Sequence, residues 1–218
     1  MQNDDCPVPG RVPGPFSARL TTSRLTLRPL EVADAEAYAA LADDDGVARF
    51  TGSLVTPFLP HSAALFAMRQ PSLERRGLGQ HWVIEVDGEF AGCLGLTRAD
   101  PADDYEIGYF LGRPYWGRGY ASEAVAAVVS EHTRVRPAQA VTARVFADNP
   151  ASLRVLEKSA FVIEGPERGY CMQRQAELEG WRLTRPPFRF RYGGSRRGTR
   201  APLKTAQPAG RAASLKPA

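Results

Sequence analysis

The sequence predicts an α+β domain built around a mixed, mostly antiparallel sheet that is flanked by helices. Segments with the two-residue period of strands and segments with the longer period of helices follow in the order strand, two helices, three strands, helix, strand, helix and closing strands. Near the middle of the chain, a strand runs through a glycine-rich turn directly into an amphipathic helix. The first observation defines the fold class, and the second marks the segment that indicates function.

The first half of the chain supplies one strand, two helices and a hairpin. Apolar and polar residues alternate over residues 24–28, which is typical of a half-buried strand. Asp34 begins an alanine-rich helix, and Asp87-Gly88 is a typical hairpin turn. The predicted elements are a strand at 24–28, helices at 34–41 and 62–73, and strands at 81–86 and 90–96.

The second half contains the clearest helix of the chain. Its apolar stripe, spaced i, i+4, i+7 and i+8, consists of Ala121, Val125, Val128 and Val129. One strand precedes the glycine-rich turn, and another follows this helix. The predicted elements are strands at 105–111 and 141–146, a helix at 151–159, and one or two closing strands between 161 and 188.

Composition excludes several classes of protein. Hydrophobic residues make up 43% of the 218 residues and charged residues 24%, as in ordinary globular domains. No apolar run approaches the roughly 20 residues that span a bilayer, and the N-terminus lacks the apolar core of a signal peptide. The three cysteines form no CxxC pair, and the three histidines have no metal-ligand spacing. We therefore expect a cytoplasmic protein with no metal and no membrane segment.

Positive charge is concentrated at the C-terminus. Residues 182–218 hold ten Lys or Arg and no Asp or Glu, so residues 1–181 hold 18 basic against 24 acidic residues. This acidic body argues against nucleic-acid binding, except weakly through the basic tail. Composition predicts a disordered proline-rich arm at 1–20, a folded domain at 21–187 and a disordered basic tail at 188–218.

The segment YEIGYFLGRPYWGRGYASEA is the most informative about function. Gly117 and Gly119 let the backbone turn without a Cβ clash, so successive N–H groups can point into one concavity at the positive end of the next helix. Such a turn binds phosphate without a charged side chain. Two other interpretations are a tight turn with no ligand and a dinucleotide-binding turn. The latter is disfavoured because the third glycine and the downstream acid are missing.

This segment resembles the acetyl-CoA-binding motif of the GNAT N-acetyltransferase superfamily, Gln/Arg-x-x-Gly-x-Gly/Ala between a strand and a helix. Trp116 stands at the Gln/Arg position, as in the RimJ/RimL-like branch, where YWGxGYAxEA is typical. The segments SRLTLRPLEVADAEA and DNPASLRVLEKSAF also resemble the family, with Ala160 where glycine is usual. The resemblance covers residues 22–185 and implies the GNAT (acyl-CoA N-acyltransferase) fold with about seven strands.

The resemblance implies acetyl-CoA as the acyl donor. Its pantetheine arm would lie between two splayed parallel strands, 105–111 and 141–146, and its pyrophosphate would bind the amides of residues 117–122. Phe110 and Leu111 would offer backbone groups to the pantetheine. The donor-binding residues implied are Phe110, Leu111, Trp116, Gly117, Arg118, Gly119, Tyr120, Ala121, Ser122, Asn149 and Ser152.

Two of these residues have an equally simple structural interpretation. Asn149 is implied to hydrogen-bond the pantetheine, but Asn followed by Pro150 is also a typical helix N-cap with proline at the first helical position. Ser152 is implied to donate to the phosphate or pantetheine, but it is equally a polar residue of a first helical turn. The sequence leaves both alternatives open.

The resemblance implies that an amine attacks the thioester directly, which needs a proton acceptor and stabilisation of the oxyanion. Glu106 lies close to the position of the catalytic glutamate in the superfamily's histone acetyltransferases; the alternative is a carboxylate on a solvent-facing strand position. Leu156 occupies the place of the tyrosine acid found in many relatives. Tyr120, Tyr109 or an ordered water is therefore the candidate proton donor to the leaving thiolate.

The predicted function is transfer of an acetyl group to a primary amine, on a protein N-terminus or on a small molecule. The alternatives are a catalytically silent acyl-CoA-binding protein and a ribosome- or RNA-associated protein that acts through the basic tail. The acidic body favours a cationic acceptor, and we expect its pocket around residues 50–60 and the closing strands. Monomer and homodimer both stay open.

Overall fold

The computed structural model of the protein describes residues 15–99 and 103–187. Most of the predicted N-terminal arm and the whole of the predicted basic tail lie outside the described residues. Within them, helices cover both faces of a mixed sheet. The predicted α+β class is therefore confirmed.

Every helix predicted from the sequence is present. The helices are α1 Ala35–Ala42, α2 Asp45–Ala48, α3 Pro60–Arg75, α4 Tyr120–Val135 and α5 Pro150–Lys158, and 3₁₀ turns occur at Val32–Asp34 and Arg113–Tyr115. The short α2 was not predicted, because four residues carry no detectable period. Its first turn is fixed locally, since the Asp44 side chain accepts a 2.7 Å hydrogen bond from the amide of Gly46.

The described strands form a single mixed sheet. Their bounds are β1 Leu20–Thr21, β2 Leu25–Pro29, β3 Gly79–Val86, β4 Glu89–Thr97, β5 Tyr105–Leu111, β6 Val141–Phe146, β7 Val162–Cys171 and β8 Ala176–Arg185. The order across the sheet is β1-β2-β3-β4-β5-β6-β8-β7. All neighbours are antiparallel except β5 and β6, which are joined through α4 and run parallel. The expected seven strands correspond to β2–β8, with the two-residue β1 added at the edge.

Two hydrophobic layers hold the helices on the sheet. The predicted stripe of α4 is buried on one face, where Val125 and Val128 have no exposed surface. On the opposite face, α1 and α3 pack against Val83, Cys93 and Phe110. We call this second face of the sheet the α1/α3 face. Because strand residues alternate between faces, a residue's position in its strand decides which layer it joins.

The folded part of the chain extends further toward the N-terminus than the predicted boundary at residue 21. Phe16 is 8% exposed and packs edge-on against Trp82 and Tyr105, with ring centres 6.0 and 5.3 Å apart. The amide of Ser17 donates to Glu131, and its carbonyl accepts from the Trp82 indole at 3.1 Å. One aromatic residue in a proline-rich segment gives no period, so the sequence could not reveal this docking.

Candidate active site

A cavity of about 1100 Å³ opens where the two parallel strands separate. β5 and β6 pair only through Tyr105 with Val141 and Glu106 with Thr142. Beyond these pairs, β5 continues alongside β4 and β6 continues alongside β8, so the separation is local to this junction. The facing edges of the two strands therefore offer backbone groups to a ligand.

The cavity brings the residues singled out by the sequence to one place. Glu106 and every predicted donor-binding residue except Arg118 line it. The Arg118 side chain is exposed, and its carbonyl oxygen accepts a 2.9 Å hydrogen bond from Arg24. Phe110 and Leu111 bury their side chains in opposite layers, so it is the backbone of this strand end that borders the opening.

The glycine-rich turn has a backbone that suits an anion. The φ angles of Gly117 and Gly119 are 74° and 82°, in the left-handed region that glycine adopts without a steric penalty. Gly119 directly precedes α4 and supplies no capping side chain. The N–H groups of the first helical turn, residues 120–122, have no acceptor within the helix. With the positive end of the helix dipole, they have the geometry that favours an anion.

Side-chain contacts fix the position of this turn. Arg24, just before β2, forms a 2.6 Å ion pair with Glu123 in the first turn of α4, and its guanidinium lies 4.8 Å from the centre of the Tyr120 ring. The Trp116 indole donates a 2.7 Å hydrogen bond to the carbonyl of Leu111. Trp116 therefore ties the turn to the end of β5, and it engages one of the backbone groups predicted to pair with pantetheine.

Asn149 is the N-cap of α5, which is the structural alternative left open by the sequence. Its Oδ1 accepts a 3.1 Å hydrogen bond from the amide of Ser152, and Pro150 is the first residue of the helix. The cap uses Oδ1 only. The Nδ2 group of Asn149 is not used by the cap, and the residue lines the cavity, so the capping role and the predicted ligand contact are compatible.

Ser152 joins α5 to β5 beside the cavity. Its Oγ lies 2.8 Å from the hydroxyl of Tyr109. Burial raises the pKa of Tyr109 to about 12, so this phenol keeps its proton at neutral pH. Leu156, where many relatives carry a tyrosine, is 1% exposed and belongs to the core.

Glu106, the predicted base, is held by Arg144 of β6. The guanidinium Nε and Nη2 donate to the two carboxylate oxygens at 3.0 and 3.1 Å. The hydrogen bond to Glu106 raises the pKa of Arg144 above its usual value. Tyr105 and Ile107, the neighbours of Glu106 in β5, belong to the core under α4, so the ion pair lies on the α1/α3 face.

The regions in which we expected the acceptor pocket line the same cavity. Residues 50–54 and residues 167–170 of β7 contribute to its wall. Gln173, in the turn between β7 and β8, accepts a 2.7 Å hydrogen bond from the amide of Thr56 and donates at 2.8 Å to Asp45. These bonds hold the closing hairpin against the segment between α2 and α3. One oxygen of Glu167 is buried and has no hydrogen-bond partner among the described residues.

A pair of a partly buried histidine and a buried glutamine beside the cavity was missed by the sequence-based predictions. His81 of β3 lines the cavity, and its Nδ1 lies 2.8 Å from Oε1 of Gln70 in α3. From the sequence alone, His81 is one of three separated histidines. One signal for it was available in the sequence: His81 is a polar residue in the mostly apolar strand β3, and the neighbouring strand β4 contains a glycine, Gly95.

The described residues contain neither a candidate metal centre nor a candidate membrane span. No group of three or more His, Cys, Asp or Glu side chains there is arranged to hold a metal ion. None of the described helices has the length and apolar character needed to cross a bilayer.

A mixed sheet that splits beside an uncapped, glycine-rich helix start is the arrangement that the resemblance to the acyltransferase family implies. The model of the acetyltransferase (GNAT) domain matches residues 24–162. The chain belongs to the GNAT family, has its fold, and is an acyl-CoA-dependent N-acetyltransferase.

Known relatives agree with this assignment. The uncharacterised N-acetyltransferase YoaA of Bacillus subtilis is 34% identical over 71% of this chain and 88% of its own length. The uncharacterised N-acetyltransferase p20 of Bacillus licheniformis is 32% identical over 69% of this chain and 86% of its own. Among solved structures, the ribosomal L7/L12 alpha-N-protein acetyltransferase RimL, in complex with coenzyme A, has a TM-score of 0.68. The aligned region covers 77% of this chain and 97% of RimL. At 18% sequence identity, this similarity shows a shared fold.

Proposed function

We propose that the protein transfers the acetyl group of acetyl-CoA to a primary amine, on a protein N-terminus or on a small molecule, by direct attack on the thioester. The observation that supports this proposal is that the opening between β5 and β6 lies beside the uncapped start of α4. An acyl donor with an extended, amide-bearing arm would fit the opening, and its pyrophosphate would fit the helix start. The structure of RimL in complex with coenzyme A, at 18% identity a relative by fold, supports the same donor.

The donor would use backbone groups more than side chains. Its pyrophosphate would accept hydrogen bonds from the amides of residues 117–122, because a Cβ is absent at Gly117 and Gly119 and the chain can approach closely. Each charge-assisted bond of this kind contributes about 1.5–3 kcal/mol. The pantetheine would pair with the backbone near Phe110, and Asn149 Nδ2 would donate to it from the other side of the opening.

The reaction requires one proton to leave the amine and one to reach the thiolate. The amine nitrogen forms a bond to the thioester carbon, the carbon–sulfur bond breaks, and coenzyme A leaves as the thiolate. We assign Glu106 as the proton acceptor because it lines the cavity where the strands separate. An incoming ammonium group would compete with Arg144 for this carboxylate.

Tyr109 and Tyr120 are the candidates for assisting the leaving thiolate. A tyrosine with a pKa of about 12 would lose energy by giving its proton to a thiolate, since thiols are stronger acids than this phenol, with a pKa of about 8.5 for cysteine. Tyr109 would therefore stabilise the thiolate by donating a hydrogen bond, and the proton itself would come from water. Tyr120 is further constrained, because the Arg24 guanidinium lies over its ring.

The carboxylates on the acceptor side of the cavity could receive an amine carried by a positively charged group, and they share the wall with basic side chains of Arg144, Arg154, Lys158 and Arg168. Glu106 and Glu167 both line it, and one Glu167 oxygen is buried without a partner among the described residues. A carboxylate oxygen removed from water favours a ligand that donates hydrogen bonds or carries positive charge. RimL is named as an enzyme that acts on a protein α-amine, which supports N-terminal peptides as the first acceptors to test.

A turnover screen tests the proposal. Release of free coenzyme A thiol would be followed with a panel of small primary amines and of peptides with free N-termini, including a seryl peptide. With at least one class of acceptor, we expect coenzyme A to be released faster than by hydrolysis of the thioester alone. Mass spectrometry should then detect the acetylated acceptor. Tight acetyl-CoA binding by calorimetry without turnover of any amine would identify a silent acyl-CoA-binding protein instead.

A further inference from the structure

Two paired glycines leave a bare strip on the α1/α3 face of the sheet. Gly95 of β4 is opposite Gly108 of β5, and His81 of β3 is opposite Gly95. A Cβ on Gly95 would collide with Cδ2 and Nε2 of the imidazole, so the His81 ring lies across this glycine. A Cβ on Gly108 would meet nothing within 4 Å. The ring therefore borders open space over Gly108, within the cavity where β5 parts from β6.

Gln70 determines which nitrogen of His81 carries the proton. Its Nε2 donates a 2.8 Å hydrogen bond to the carbonyl of Phe66, which turns Oε1 toward His81. Since Oε1 can only accept, the His81 Nδ1 at 2.8 Å must be the donor. In the neutral ring, Nε2 then carries a lone pair. This is the nitrogen that lies over Gly95 at the cavity.

The surroundings keep this imidazole neutral and fixed. Burial lowers the pKa of His81 to about 4, so the ring is uncharged at physiological pH. The edge of Phe66 packs against the ring with centres 4.8 Å apart, and Gln70 is 2% exposed. A buried glutamine that orients a histidine toward a cavity is a costly arrangement for packing alone, because two apolar side chains would fill the same space without polar groups to satisfy.

We propose that Nε2 of His81 accepts a hydrogen bond from the attacking amine over Gly108, and that Gln70 is a positioning residue that holds His81 in the required tautomer. This inference rests on the proposed function and identifies how the acceptor nitrogen is oriented. An N–H bond directed at Nε2 turns the nitrogen lone pair away from His81 and toward the opening between β5 and β6. Because the ring is such a weak base, the proton released after attack goes to Glu106 or to water.

Two substitutions of His81 separate this role from a structural one. In His81→Asn, the amide can replace Nδ1 and keep the contact with Gln70, but nothing replaces Nε2. In His81→Gln, the amide oxygen can reach the place of Nε2. We expect kcat/KM for the seryl peptide, or for the best amine of the panel, to fall about tenfold or more in His81→Asn and less in His81→Gln, with acetyl-CoA affinity unchanged in both. His61→Asn, at an exposed position of α3, is the matched control.

The inference would be overturned if kcat/KM fell more in His81→Gln than in His81→Asn, or if it were unchanged in His81→Asn. Either result would still be compatible with the proposed acetyltransferase function. A wild-type protein that acetylates no amine would instead overturn the proposed function. Nitrogen-15 spectra of the imidazole give an independent result without any acceptor. We expect a protonated Nδ1 and a bare Nε2 at neutral pH, with a shift toward protonated Nε2 in Gln70→Met. A protonated Nε2 in the wild type would rule out the proposed role.

Discussion

Arg144 binds both carboxylate oxygens of Glu106 across the point where β5 and β6 separate, with donor–acceptor distances of 3.0 and 3.1 Å. To accept a proton from a bound amine, Glu106 would have to exchange part of this contact with Arg144 for a contact with that amine. Without such an acceptor, the pair joins the two strands at the edge of the opening. The two roles predict different effects of substitution.

If Glu106 is the proton acceptor, Glu106→Gln should lower turnover by roughly 10²–10⁴-fold, the usual effect of removing a general base. The side chains of Glu106 and Arg144 are 40% and 54% exposed, so the lost ion pair should cost at most about 1 kcal/mol of stability. Steady-state rates, melting temperature and acetyl-CoA affinity would be measured together. Part of the lost rate should return at high pH, where the free amine is abundant.

The control for this substitution is Glu164→Gln. Glu164 of β7 pairs with Arg182 at 3.2 Å, is about equally exposed, and does not line the cavity. We expect its rate to match that of the wild type. Near-normal turnover in Glu106→Gln would show that the residue only joins the strands and that water accepts the proton.

Asn149→Asp separates the capping role of Asn149 from its proposed ligand contact. Aspartate caps a helix as well as asparagine, so the melting temperature should not fall, whereas Asn149→Ala should lose about 1 kcal/mol. Aspartate lacks the Nδ2 donor, so KM for acetyl-CoA should rise about tenfold in Asn149→Asp. An unchanged KM in this variant would leave the N-cap as the only function of the residue.

Much of the fold was predictable because its signals are local. The stripe of α4, the Asp87-Gly88 turn and the alternation in β2 each lie within one segment, and each element formed close to its predicted bounds. The glycine-rich turn was equally clear, because left-handed φ angles at Gly117 and Gly119 follow from the residue type. The sequence also carried enough of the family motifs to predict the enzyme class.

The features that were not predicted depend on contacts between distant segments. The docking of Phe16 requires Trp82 and Tyr105 to be already adjacent in the sheet. The bond between Gln70 and His81 connects a helix to a strand, and neither residue lies in a recognisable motif. Such pairs exist only once the topology is formed, so no period or spacing within one segment reveals them.

The pH dependence of stability should show the burial of His132. Burial, followed by the charges of Arg136, Arg185 and Arg98, lowers its pKa to about 4. Since the unfolded value is near 6.5, the unfolded chain binds more protons between these values, and the free energy of unfolding falls as the pH is lowered through that window. His81 contributes with the same sign. Urea denaturation at pH 7 and pH 5 should show a smaller loss in His132→Leu than in the wild type; an equal loss would mean that other groups control the effect.

Gly119→Val should greatly weaken acetyl-CoA binding while the fold is retained. A Cβ at this position would meet only the end of the Arg24 side chain, at 3.4 Å, so the protein itself has room for it. The added methyl groups would instead occupy the space in front of the amides at the start of α4. Loss of one or two charge-assisted hydrogen bonds of about 1.5–3 kcal/mol each should weaken binding by between about 10-fold and about 10⁴-fold in calorimetry.

Backbone strain is the competing explanation for that result, and Gly88→Val controls for it. Gly88 has a φ of 84°, almost equal to the 82° of Gly119, has open space at its Cβ position, and lies in the hairpin turn between β3 and β4, away from the cavity. Both variants therefore carry the same kind of backbone strain, and their melting temperatures should fall by similar amounts. Only Gly119→Val should lose acetyl-CoA affinity. Equal affinity in the two folded variants would show that the pyrophosphate does not bind at this turn.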